Sequence, residues 1–159
     1  MNIKSWRKKG EWPIDKAKYT ITLDASDRLC RRKNLILDNG KKVFIALDKV
    51  VNFKDSDALE LENGEWIRIN ASTEKVIDIN TNDNEHQSLL AWHLGNRHLA
   101  MQIINENTMR IEYDHVILDM LIGLNAKVNV IEDIFEPELG AYGSHNHWGV
   151  MNKENKNDK

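Results

Sequence analysis

At 159 residues, with 30% charged side chains and a formal net charge of −3, the chain has room for one medium domain or two small ones. It lacks the basic footprint that general nucleic-acid binding needs. Its single cysteine, Cys30, excludes an internal disulfide and a thiolate cluster within one chain, and no stretch approaches the ~20 apolar residues of a membrane helix.

The opening segment, Met1 to Pro13, carries positive charge but no apolar run of signal-peptide length. A soluble, cytoplasmic protein without a membrane partner is expected. Tyr19-Thr20-Ile21-Thr22-Leu23 alternates and predicts a strand, and Asp24 to Asp27 a turn. Leu35-Ile36-Leu37 runs into Asp38-Asn39-Gly40 and then Val43-Phe44-Ile45-Ala46-Leu47. Asn-Gly between two apolar runs predicts a tight hairpin in which both central residues take positive φ. The arrangement returns as Leu59-Glu60-Leu61-Glu62-Asn63-Gly64 followed by Trp66-Ile67-Arg68-Ile69, so Leu35 and Leu37 map onto Leu59 and Leu61. Residues 1–73 therefore read as an all-β meander domain. It contains no histidine, so a metal role belongs elsewhere and this half is expected to hold a partner.

From Glu74 the pattern changes. Val76-Ile77-Asp78-Ile79 alternates as a strand, Asn80 to Asn84 is a polar loop with ready N-cap residues, and Glu85 to Trp92 suits a helix. Gly95 and Asn96 are placed to take the left-handed conformation that closes a helix. An apolar strand is expected from Leu99 to Ile104, a turn at Asn105 to Asn107, and a strand from Met109 to Tyr113. Asp114 can cap a second helix with Val116, Ile117, Met120, Leu121 and Leu124 at helical spacing. Lys127 to Ile131 supplies a last strand. The order β-α-β-β-α-β predicts a ferredoxin-like domain over 74–147, which makes the fold class α+β. Residues 148–159 are polar and expected to form a disordered tail.

Histidine is the residue type that could carry chemistry. His93 and His98 are five apart, about 140° around a helix, whereas helical metal pairs use spacings of three or four. His93 is read as packed or capping, and His86 as solvated. His98 sits where a helix gives way to a strand, so its ring can leave the packed layer. One imidazole is one ligand, and the cheapest duplication is a two-fold dimer. His115, at the start of the second helix, is read as either a surface histidine or an auxiliary ligand. His145 and His147 put two rings on one side of an extended chain. Nitrogen donors without thiolate suit Ni(II), Cu(II), Zn(II) or Co(II). No nucleophile–base–orienter set and no phosphate-binding loop is visible, so an enzyme is not expected. Glu136 and Glu138 are read as loop structure or a docking surface.

Trp92-His93-Leu94-Gly95-Asn96-Arg97-His98, then Met101-Gln102-Ile103, Asp114-His115-Val116 with Met120-Leu121, and Phe135-Glu136-Pro137-Glu138-Leu139-Gly140-Ala141-Tyr142-Gly143, together resemble the UreE family of urease accessory proteins. The likeness runs in order from about Tyr19 to His147. It implies a homodimeric nickel metallochaperone that delivers Ni(II) as cargo to the urease apoprotein, together with the assembly GTPase of that pathway. It also implies an N-terminal peptide-binding-like β domain and a C-terminal metal domain. His98 matches the family's nickel histidine at the dimer seam, and His115 an auxiliary position. Some members carry a further histidine just before that Asp-His pair, where this chain has Tyr113. The tail offers only His145 and His147, which suits transfer of one ion or few rather than storage. Two alternatives are a general Zn(II), Cu(II) or Ni(II) binder, and a metal-independent scaffold that holds a client at a sheet edge.

Overall fold

The computed structural model describes residues 1–140. Contacts divide the chain into a unit spanning Met1–Ala71 and a unit spanning Ser72–Glu138. The fold is α+β, a β-rich domain followed by a ferredoxin-like domain.

In the first unit β1 (Ile3–Arg7), β2 (Ala17–Leu23), β5 (Ala58–Leu61) and β6 (Trp66–Ala71) form a sheet in the order β1-β5-β6-β2. One helical turn, α1 (Ala25–Arg28), is capped by Asp24. It leads into the antiparallel hairpin of β3 (Leu29–Ile36) and β4 (Lys42–Asn52). β2 pairs with β6 in parallel, a neighbour relation that local alternation does not encode. Ile21, Leu35, Ile45, Leu59, Ile67 and Ile69 meet in the core. Each contributes about 1.5–3 kcal/mol of burial.

The two Asn-Gly turns are alike, but not in the expected geometry. Only Gly40 (φ 83°) and Gly64 (φ 80°) are left-handed, while Asn39 and Asn63 are not. Gly40 N–H donates to Leu37 O and Leu37 N–H to Lys41 O, both at 2.8 Å; Gly64 and Leu61 repeat the pattern with Glu65 at 2.9 Å. The asparagines instead accept from the N–H of Lys41 and Glu65 (3.1 Å each). A turn with one left-handed glycine and a side-chain bridge replaces the two-residue turn. Asp38 also closes the outer edge of β2. It accepts from Thr22 N–H (2.9 Å) and donates its own N–H to Thr20 O (3.0 Å).

The second unit runs β7 (Thr73–Asn80), α2 (Asn84–Asn96), β8 (Gln102–Asn105), β9 (Thr108–Glu112), α3 (His115–Gly123) and β10 (Lys127–Ile134). The sheet order is β10-β7-β9-β8, with all pairings antiparallel. Ile77, Ile79, Met109 and Ile111 on the sheet pack with Leu90 and Leu94 of α2 and Ile117 and Leu121 of α3. β8 begins at Gln102, three residues later than the apolar run suggested. An apolar run does not by itself form a ladder, and residues 99–101 make none.

Candidate functional site

Both helices of the second unit are stopped in the same way. At the end of α3, Ala126 N–H donates to Leu121 O and Asn125 N–H to Ile122 O, both at 3.0 Å, and Asn125 is left-handed (φ 59°). At the end of α2, Leu99 N–H donates to Leu94 O (3.3 Å) and His98 N–H to Gly95 O (3.0 Å). These are the paired bonds of a Schellman closure. Leu99 packs on the core cluster that holds Leu94, the apolar contact that accompanies this motif. The left-handed residue here is His98, with φ 54°, and not Gly95 or Asn96. Asn is a usual occupant of that place; an exposed histidine with a Cβ in the left-handed region costs energy. The closure turns the chain away from the helix, and the His98 side chain is exposed.

His86 identifies the other end of the helix layer. Its Nε2 lies 2.8 Å from Leu124 O and its Nδ1 accepts from Asn82 N–H at 3.3 Å. A carbonyl can only accept, so Nε2 carries the proton and the ring is the neutral tautomer. His86 is thus a half-buried brace between the start of α2 and the end of α3, not the solvated residue expected, and both its nitrogens are occupied. Asp83 caps α2 by accepting from His86 N–H (2.8 Å).

The brace also fixes the opposite end. α2 and α3 run antiparallel, so the end of α2 lies beside the start of α3, which carries Asp114 and His115. Asp114 Oδ1 accepts from Val116 N–H (2.8 Å) and Ile117 N–H (3.0 Å). With about 1.5 Å per helical residue and about 8–10 Å between helix axes, the backbones of His98 and His115 lie on the order of 10 Å apart. Both side chains are exposed, and no described residue hydrogen-bonds to either ring. His93 is half-buried with its ring edge-on to Trp92, centroids 5.0 Å apart. Its backbone carbonyl takes Arg97 Nη1 (3.0 Å). Among the described residues no three histidine, cysteine or carboxylate groups converge to hold a metal. His145 and His147 lie outside the described residues.

Sequence patterns missed two features of this end. Trp92 and Val116 expose 61% and 60% of their surface, an apolar fringe to the His98–His115 end. The segment after β10 is also bound rather than loose. Glu138 N–H donates to Met101 O (2.8 Å), Glu136 N–H to Gln102 Oε1 (2.8 Å), and Ile103 N–H to Glu138 Oε1 (3.4 Å). Pro137 keeps this stretch extended, the one signal that it could lie along a strand edge.

The C-terminal domain of the UreE urease accessory protein matches residues 74–159, and its N-terminal domain matches residues 3–72. The urease accessory protein UreE of Agrobacterium fabrum is 44% identical over 138 residues, 85% of either chain. That of Rhizobium etli is 49% identical over 118 residues, 74% of this chain and 58% of the relative. That of Rhodopseudomonas palustris is 41% identical over 135 residues, 82% of this chain and 64% of the relative. The chain thus spans most of the first relative and under two thirds of the other two. Among the described residues no helix is long and apolar enough to cross a membrane.

Proposed function

The chain belongs to the UreE family of urease accessory proteins, and on that premise we propose that it is a cytoplasmic, homodimeric nickel chaperone for urease assembly. The observation that carries this reading is His98: an exposed imidazole held at left-handed φ with no described group to serve. A metal needs more donors than one ring supplies. A second copy related by a two-fold axis brings a second His98, and Trp92 and Val116, exposed apolar residues on α2 and α3, favour contact between copies.

Ni(II) is the cargo. The two His98 rings form the fixed part of the site, and His145 and His147 supply exchangeable ligands from the tail. His115, at the same end of the helix layer, is an auxiliary donor. A site built from nitrogen donors on a seam and a tail can give up its ion, unlike a closed four-ligand structural site. Release to the urease apoprotein, with the assembly GTPase as partner, then requires only ligand exchange. Such donors also take Zn(II) and Cu(II) in vitro, copper most tightly. The first unit, without histidine, serves as the partner-binding domain and the chain as a whole is not a catalyst.

Calorimetric titration with nickel tests this. His98→Ala is expected to abolish tight binding, and removal of Met1 to Ser72 to leave it largely intact. Binding should weaken as pH falls, because only neutral imidazole ligates. Undiminished nickel binding by His98→Ala, or a monomer in sedimentation with nickel bound, refutes the proposal. Metal competition at controlled free-ion levels separates a nickel carrier from a zinc or copper buffer. Client binding indifferent to chelator would favour a metal-independent scaffold.

A further inference from the structure

The chain has a formal net charge of −3, yet the hairpin of β3 and β4 is basic. Between Leu29 and Asn52 stand six Lys and Arg side chains against Asp38 and Asp48. Strand alternation sorts the residues by face. Leu35, Val43 and Ile45 enter the core. The outward face consists of three opposed pairs, Ile36 with Lys42, Asn34 with Phe44 and Arg32 with Ala46, and all six are exposed. Ile36 shows 64% of its surface and Phe44 49%, and the two are diagonal neighbours across the ladder. Arg32 and Lys42 stand at opposite corners, about 14 Å apart along the strands. Neither side chain forms an ion pair or hydrogen bond among the described residues, whereas Lys33 on the inner side is paired with Asp27. Asp48, the one acidic residue of either strand, lies where the register shifts between Ala46 and Val51. Cations alone on a strand surface would serve solubility. Two large apolar side chains set between unpaired cations, on a chain of opposite net charge, instead match an acidic partner with apolar side chains.

We propose that this outward face is a docking surface for an acidic protein segment in extended conformation, with carboxylates four residues apart and an apolar side chain midway between them. In such a segment residues i, i+2 and i+4 lie on one side, and i to i+4 spans about 14 Å. The carboxylates then meet Arg32 and Lys42 while the apolar side chain covers Ile36 and Phe44. The inference rests on the reading of the first unit as the partner-binding domain and is independent of the nickel site.

The test is fluorescence anisotropy on the full chain, with chelator present, using a labelled, end-blocked peptide of repeating Glu-Ser-Leu-Ser. The protein is expected to bind it, less tightly as salt is raised. Arg32→Glu/Lys42→Glu should weaken binding about tenfold, and Ile36→Ser/Phe44→Ser about as much. The four positions are exposed, so the variants should keep the fold; where thermal unfolding shows that one pair does not, the other pair carries the test. A peptide with Lys in place of Glu should not bind. Equal binding of that peptide, no binding of the acidic one, or affinity unchanged in a folded pair variant overturns the inference. Binding of phosphatidylserine vesicles in place of the peptide would make the face a membrane contact and overturns it too. Urease apoprotein titrated against the same variants keeps the two readings apart. If its binding is unchanged while peptide binding is lost, the urease reading of the first unit fails and the docking surface stands.

Discussion

Replacing His98 with glycine should make the protein more stable while removing its proposed metal ligand. The residue sits at φ 54°, where a side chain bearing a Cβ costs about 1–2 kcal/mol relative to its right-handed conformation. Glycine is free of that cost, but it enlarges the unfolded ensemble by about 0.4–1 kcal/mol. The His98 side chain is exposed, so truncation forfeits little burial. The net gain expected is about 0.5–1 kcal/mol. In a unit the size of Ser72–Glu138 that raises Tm by about 2–8 °C. Thermal unfolding of metal-free protein, followed at 222 nm, reads this unit because it holds both long helices, α2 and α3. His98→Ala is the control, since it removes the imidazole but keeps the Cβ, and it should gain nothing. If glycine proves no more stable than alanine at this position, the left-handed closure of α2 is not what restrains His98, and the account of how the ring is presented fails.

The ion cluster on the sheet gives a larger effect. Arg110 Nε and Nη2 reach Asp78 at 2.6 and 3.0 Å, and Nη1 reaches Asp133 and Ile134 O at 2.8 Å. Arg110→Met leaves Asp78 unpaired in a mostly buried place and should cost about 3 kcal/mol in denaturant unfolding; a loss under about 1 kcal/mol would show the pairing to be idle. The Ile134 N–H and then the Arg110 guanidinium hold the Asp133 carboxyl below its ordinary value. A depressed folded value means that its stabilisation is present above about pH 4 and lost as pH falls through the lower folded value. The wild type should therefore lose stability below pH 4 more steeply than Arg110→Met, and parallel profiles would refute that assignment. Burial pushes the Cys30 thiol up to about 11, so it should resist disulfide reagents at pH 8 until the protein unfolds. Rapid labelling of folded protein would contradict its place in the core.

The helices and strands of the second unit were readable because their signals are local. Asp83 and Asp114 cap helices where short acceptors precede apolar periodicity, and Val76 to Ile79 alternate as a half-buried strand must. The place of His98 at a helix end was legible for the same reason. Its left-handed backbone was not, because Gly95 and Asn96 are better intrinsic candidates. The pairing of Leu99 N–H with Leu94 O and the burial of Leu99 move the closure two residues on. His86 was misread because nothing in its neighbourhood announces Leu124, 38 residues away.

Residue order alone therefore determined the α+β class, the two Asn-Gly hairpins, the helix caps and the family. Periodicity, capping and turn chemistry all act within a few residues. Tertiary structure decided that β2 runs parallel to β6, that two histidines share one end of a helix layer, and that the chain after β10 returns to the strand beside His98. Those are long-range juxtapositions, set by which apolar faces can be buried together and not by any local preference.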